Sequence, residues 1–136
     1  MAGEYVKTLN MKIVRAAELK FITASHEDPE SPGVFKKVMF RKDDFVDGKV
    51  EMINWALLPK GRSFAPHYHE DMQEVFIIIR GKAKVTIDEE TGSLNQGDAV
   101  VIPVGSVHEM ENIGTEDVEY IVVGISKGAD GKTVVL

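Results

Sequence analysis

The chain has 136 residues, enough for one domain with a buried core and too few for two barrels. Its formal net charge of −6 argues against nucleic acid and anionic membranes as binding partners. The chain contains no cysteine, and it shows neither a signal-peptide pattern nor an apolar run of ~20 residues, so we expect a cytoplasmic protein that does not enter a membrane.

Short apolar runs bounded by turn residues dominate the chain, and they predict strands rather than helices. One helical turn is expected at Ala16–Leu19, and a polar loop is expected at Thr23–Gly33. His26, in this acidic loop, is interpreted as an ordinary surface histidine. The pair Asp47–Gly48 predicts a tight turn. The expected strands are Met11–Val14, Val34–Arg41, Val50–Leu58, His67–His69, Glu74–Arg80, Lys82–Asp88, Ala99–Pro103, His108–Asn112, Glu119–Ile125 and Thr133–Leu136.

Nine or ten short strands with turns at regular intervals are typical of an all-β barrel or sandwich. Further turns are expected at Glu70–Met72 and at Glu89–Gly92. Neither an internal repeat nor a low-complexity tract interrupts this pattern, and no linker is evident. We therefore expect a single all-β domain over residues 1–136.

Three of the four histidines lie in two short stretches, and their spacing favours a metal site. His67 and His69 are two residues apart, so on a strand their side chains point to the same face. Glu74 can be the first inward residue of the next strand, beside this pair, and His108 comes from the second stretch. Imidazoles with one carboxylate suit Zn, Mn, Fe, Ni or Co. Calcium is disfavoured because it prefers an all-oxygen shell.

Both stretches follow recognisable patterns. Residues 61–81 read G-x5-H-x-H-x4-E-x6-G, and residues 97–112 read G-x5-P-x-G-x2-H-x3-N. These patterns resemble the two conserved motifs of the cupin superfamily, and every motif position is present. The resemblance implies a double-stranded β-helix, or jelly-roll, cupin barrel. It also implies that one divalent transition metal is held by four side chains, which are His67, His69, Glu74 and His108.

Strand alternation extends this expectation to the lining of the pocket. If Glu74 faces the metal, Phe76 and Ile78 face the same cavity. Met110 shares a strand face with His108, so it is also a candidate lining residue. These residues predict a small and rather apolar pocket. Arg62 and Arg80 are candidate anion contacts, although solvated strand ends are the favoured interpretation.

The opposite face of the same strand carries Val75, Ile77 and Ile79. A strand that is apolar on both faces is normally buried on both. In a small barrel the second cover is expected to be another copy of the chain. This predicts a homodimer.

The metal site limits the function without selecting a reaction. Three neutral imidazoles, one carboxylate and a divalent ion leave a local charge of +1, which favours anionic oxygen ligands. The cupin resemblance permits oxygenases, decarboxylases and isomerases that act on small chelating anionic or polar substrates. The alternative is a non-catalytic cupin that binds or senses a small molecule and uses its metal structurally. No general base is evident in the motifs.

Overall fold

The computed structural model describes residues 13–45, 49–126 and 132–136. The turn predicted at Asp47–Gly48 lies outside the described residues. So do the first two residues of the strand predicted at Met11–Val14, and its last two residues do not form a strand. In the described ranges, no helix is long and apolar enough to cross a membrane.

Strands make up nearly all of the regular structure. Single turns of 3-10 helix occur at Ala16–Glu18, close to the predicted helical turn, and at Lys42–Asp44. Eleven strands are found in the described residues. They are β1 (Ile22–Thr23), β2 (Phe35–Arg41), β3 (Val50–Leu58), β4 (His67–His69), β5 (Met72–Arg80), β6 (Ala83–Ile87), β7 (Glu90–Leu94), β8 (Ala99–Ile102), β9 (His108–Asn112), β10 (Val118–Ser126) and β11 (Thr133–Val135).

The strands form two antiparallel sheets whose inner faces enclose one apolar core. The six-stranded sheet has the order β1-β2-β3-β10-β5-β8, and the five-stranded sheet has the order β11-β4-β9-β6-β7. Both sheets supply fully buried side chains to the core, among them Leu58, Ile78 and Val118 from the first sheet and Met110 from the second. The predicted all-β jelly-roll barrel is therefore confirmed.

Two predicted turns are displaced in the structure. Met72 begins β5 instead of ending a turn, because its side chain is buried on the inner face. The turn predicted at Glu89–Gly92 is instead a two-residue turn at Asp88 and Glu89. Asp88 adopts the left-handed conformation, with φ of 54°, which aspartate tolerates and which tight hairpins favour.

Alternation along β5 gives the six-stranded sheet two different faces. Glu74, Phe76 and Ile78 are buried on the inner face, whereas Ile77 and Ile79 are 36% and 38% exposed on the outer face. Glu74 therefore points from the six-stranded sheet toward the five-stranded sheet. That sheet contains β4 and β9, which carry the three histidines of the two motifs.

Candidate metal centre

Four side chains from both sheets converge at one buried point. His67 and His69 lie on β4, and His108 lies on β9, directly opposite His67 in the strand register. Glu74 reaches them from β5 of the other sheet. One potential ligand atom from each residue lies within 4.8 Å of the others, and all four side chains are buried. The structure thus brings together all four residues that the sequence predicts as ligands.

Backbone carbonyls fix the orientation of two of the imidazoles. Nδ1 of His67 donates a hydrogen bond to the Ala65 carbonyl at 2.7 Å, and Nδ1 of His108 donates to the Ser106 carbonyl at 3.0 Å. A carbonyl oxygen can only accept, so each neutral ring carries its proton on Nδ1. The Nε2 lone pairs are then free to face the cluster. Such outer hydrogen bonds are the usual support of metal-bound histidine.

His69 is held with the opposite polarity: Nε2 donates to the Glu74 carboxylate, and Nδ1 accepts from a hydroxyl on the edge strand β11. Its Nδ1 lies 2.8 Å from the Thr133 hydroxyl, and its Nε2 lies 2.9 Å from Oε1 of Glu74. Thr133 thus gives β11 a role in the site. The sequence offers no local signal for that contact, since 64 residues separate His69 from Thr133.

One contact within the cluster is unsatisfied. Nε2 of His108 lies 3.2 Å from Oε1 of Glu74, close enough for an ion pair, but the geometry forms no hydrogen bond and Nε2 is buried without a partner. Because Nδ1 of His108 carries the proton, a lone pair faces a carboxylate oxygen. A cation bound to both atoms would remove this repulsion. The donor set therefore fits a divalent metal.

The surroundings keep two of these side chains in the forms that bind metals. Burial raises the pKa of the Glu74 carboxyl, but the imidazoles of His108 and His69, in their protonated forms, stabilise the carboxylate and lower its pKa by more, to about 2. Burial is the main cause that lowers the pKa of His67 to about 3, and the neighbouring His26 and His108 lower it further. At neutral pH, Glu74 is therefore ionised and His67 is neutral.

The chemistry of the donor set limits which ions it suits. Three imidazoles and one carboxylate suit Mn, Fe, Co, Ni or Zn, and no described residue offers a thiolate because the chain has no cysteine. An octahedral ion bound by these four side chains keeps two positions for water or a chelating ligand. A tetrahedral ion would have its shell closed.

A cavity of about 280 Å³ opens beside the cluster and is lined partly by it. Phe76 lines this cavity, as the alternation along β5 predicts. Ile78 and Met110 do not line it among the described residues, because both side chains are buried in the apolar core. The cavity wall combines apolar and polar side chains. Several polar side chains line the cavity, namely Ser25, His26, Lys36, Glu51, Asn54, Tyr120 and Thr133.

His26 does not lie where its sequence context predicts. Instead of lying on the surface, its ring stacks on the ring of His67, with centroids 4.0 Å apart and planes at 20°. Nδ1 of His26 contacts Oε2 of the buried Glu27 at 3.1 Å. Burial lowers the pKa of His26 despite that carboxylate. The cavity thus contains an imidazole that is not one of the four candidate ligands.

The two arginines considered as anion contacts point elsewhere. Nη1 of Arg62 donates to the Pro32 carbonyl at 2.7 Å, and Arg80 pairs with Glu119 at 2.8 Å. Neither lines the cavity in the part of the chain that the structure describes. The lysine that does line it is Lys36 on β2, which precedes both motifs and was not predicted from them.

Comparisons with known proteins agree with this architecture. Residues 54–124 match the family described as Cupin domain. An uncharacterized protein of Methanocaldococcus jannaschii is 34% identical over 59 residues, which are 43% of this chain and 47% of that protein. Quercetin 2,3-dioxygenase of Bacillus subtilis is 36% identical over 67 residues, which are 48% of this chain and 20% of that enzyme. The chain therefore spans half or less of the length of these two relatives.

Solved structures resemble the whole domain. The crystal structure of a predicted oxalate decarboxylase from Thermotoga maritima superposes with a TM-score of 0.75 at 25% identity, covering 85% of this chain and 99% of that one. A cupin-2 domain from Rhodospirillum rubrum has a TM-score of 0.70 at 15% identity, covering 92% and 80%, and this likeness concerns the fold alone. Since the family match extends over more than half of the chain, the protein belongs to the Cupin domain family.

Proposed function

We propose that this cupin binds one divalent transition metal through His67, His69, Glu74 and His108, and uses it as an enzyme on a small chelating anion. The reaction class is that of an oxygenase, a decarboxylase or an isomerase. The observation that carries the proposal is the convergence of four buried ligand atoms within 4.8 Å beside a cavity of about 280 Å³. When bound, the metal would supply Lewis-acid polarisation of a chelated oxygen.

The charge of the site supports an anionic ligand. Glu74 offsets one of the two charges of the ion, and the neutral imidazoles offset none, so a net +1 faces the cavity. The cavity is slightly smaller than the range of roughly 300–1,000 Å³ that is common for ligand pockets, which favours a compact molecule. The names of two relatives, a quercetin 2,3-dioxygenase and a predicted oxalate decarboxylase, support an enzymatic role.

Metal content is the first test of this proposal. We expect purified protein to contain one equivalent of Mn, Fe, Co, Ni or Zn by elemental analysis. His108→Ala should lose most of it, because the variant removes a ligand whose Nε2 lacks any other partner. His26→Ala is the matched control, since it removes the only histidine outside the cluster. Equal metal content in both variants would contradict the assignment of the ligands.

Turnover separates an enzyme from a binding module. The protein, loaded in turn with each candidate metal, should be incubated with oxalate, catechols and β-diketones while dioxygen uptake and carbon dioxide release are measured. Isomerase activity is followed by NMR of hydroxy-carbonyl compounds. Tight binding without turnover would favour the non-catalytic alternative. Absence of both would contradict the proposed ligand class.

We also propose that the chain forms a homodimer through the outer face of the six-stranded sheet. Ile77 and Ile79 on β5 and Val101 on β8 are 36%, 38% and 51% exposed on this face in a single chain. Val101 lies opposite Val75 in the strand register, so these side chains form one continuous apolar surface. A second copy of that surface would cover it.

A further inference from the structure

Lys36 points into the cavity from a strand that lies outside both motifs. On β2 it pairs with Ala56 of β3, which is 3% exposed on the inner face. Side chains of directly paired residues lie on the same face of a sheet, so Lys36 extends over the small Ala56 side chain. The adjacent Lys37 lies on the outer face, where its Nζ donates to the Ala16 carbonyl at 2.7 Å.

Lys36 has no ion-pair partner within the described residues. Glu74 and Arg41 are the charged groups close enough to affect it, and neither contacts it directly. Glu51 also lines the cavity, but it pairs with Lys42 at 3.5 Å. Lys36 therefore contributes an uncompensated positive charge to the cavity wall.

Asn54 lies between Lys36 and the candidate metal ligands. In the strand register, Glu74 of β5 lies in line with Met52 of β3, because both pair with the same residue of β10. Asn54 is two residues further along β3, and Ala56, which pairs with Lys36, is two residues beyond Asn54. Asn54 is 6% exposed and lines the cavity, and its Oδ1 has no hydrogen-bond partner. A buried amide oxygen without a partner is unfavourable unless a ligand satisfies it.

We propose that Lys36 and Asn54 form a second recognition end of the cavity, and that the ligand is a small dianion. One end would chelate the metal, Asn54 would bind a polar group of the ligand, and Lys36 would bind a distal carboxylate. This inference rests on the proposed function, because it takes the chelating end from the metal site. The +1 of the loaded site and the +1 of Lys36 together match a ligand of charge −2.

Isothermal titration calorimetry on metal-loaded protein tests the inference with two probes. 2-Oxoglutarate and 2-oxopentanoate share a chelating 2-oxo acid and a five-carbon chain, and only the first has a distal carboxylate. We expect 2-oxoglutarate to bind about 10-fold more tightly, as one charge-assisted hydrogen bond would provide. Lys36→Met should remove that preference while retaining the apolar stem. Lys37→Met is the matched control and should retain it.

The outcomes distinguish this inference from the proposed function. Equal affinities for the two probes, both dependent on the metal, would overturn the inference and leave the metal site standing. A preference that persists in Lys36→Met would also overturn it. Binding of neither probe to the loaded protein would overturn both. A preference that depends on Lys36 but survives removal of the metal would support the Lys36 end of the inference and overturn its chelating end together with the role of the metal. Thermal melts of both variants establish that they fold.

Discussion

Glu27 connects the loop before β2 to the candidate metal centre. Its Oε1 accepts a hydrogen bond from the Gly33 amide at 2.5 Å, and its Oε2 accepts from the Ala65 amide at 2.8 Å. The Ala65 carbonyl in turn holds Nδ1 of His67. The loop and the first motif are so close here that a Cβ at Gly33 would collide with the Ser63 carbonyl oxygen.

Glu27→Gln keeps the volume of the side chain but changes its hydrogen bonding. The amide oxygen can replace one carboxylate oxygen, whereas the amide nitrogen, a donor, must face either Gly33 N–H or Ala65 N–H. One buried bond to a charged acceptor is lost, and one N–H is left unsatisfied. Hydrogen bonds to charged groups contribute about 1.5–3 kcal/mol, so we expect a loss of about 2–4 kcal/mol in the free energy of unfolding.

Urea unfolding of metal-free protein measures this loss, and a competition assay with a chromophoric chelator measures metal affinity. We expect affinity to fall about 10-fold in Glu27→Gln, because the Ala65 carbonyl would no longer hold His67 in place. Glu30→Gln, at an exposed position of the same loop, should change neither quantity. A loss below ~0.5 kcal/mol in Glu27→Gln, the size of an ordinary surface substitution, would show that Glu27 does not join the loop to the first motif.

Other consequences can be measured with the same protein. In the metal-free form, the pKa of His67 is about 3 against 6.5 for an unperturbed histidine, so the unfolded chain binds more protons between these values. The free energy of unfolding should therefore fall by up to ~1.4 kcal/mol per pH unit as the pH drops from 6.5 toward 3, and a flat profile in urea titrations would contradict this. Asn112→Ala removes one buried and two partly buried hydrogen bonds and should cost about 3 kcal/mol in urea unfolding, with metal content per folded chain unchanged. Ile79→Lys and Val101→Lys should each convert a dimer into a monomer in sedimentation velocity, whereas Ile113→Lys, at a loop residue that is 41% exposed, should not. A wild-type protein that sediments as a monomer at micromolar concentration would contradict the dimer.

The ligand cluster could be predicted because its information is local. His67 and His69 share a face through strand alternation, and Glu74 follows after a short turn. The apolar runs around them are equally local, so Val50–Leu58 and His108–Asn112 have the predicted bounds. Resemblance to known motifs then joined the two stretches.

The cavity wall could not be predicted because its residues are joined only by long-range pairing. Lys36 approaches the cavity because β2 pairs with β3, and His26 approaches it because Glu27 ties its loop to Ala65. An acidic loop with two prolines has the composition of an exposed segment, and its sequence gives no sign of what it packs against. Ile78 illustrates the same limit. Its side chain points inward, as the strand alternation predicts, but it packs in the apolar core and does not reach the cavity.

The composition of the cluster argues that binding, rather than folding, accounts for its presence. Three histidines come from one sheet and Glu74 from the other, so an ion bound among them would join the two sheets. Without an ion, the fold buries a carboxylate against an imidazole lone pair and leaves Nε2 of His108 without a partner. Such burial is unfavourable, and apolar side chains of similar volume would stabilise the barrel better. Bound metal would reverse the sign of this contribution, because ion binding is then coupled to the packing of the sheets.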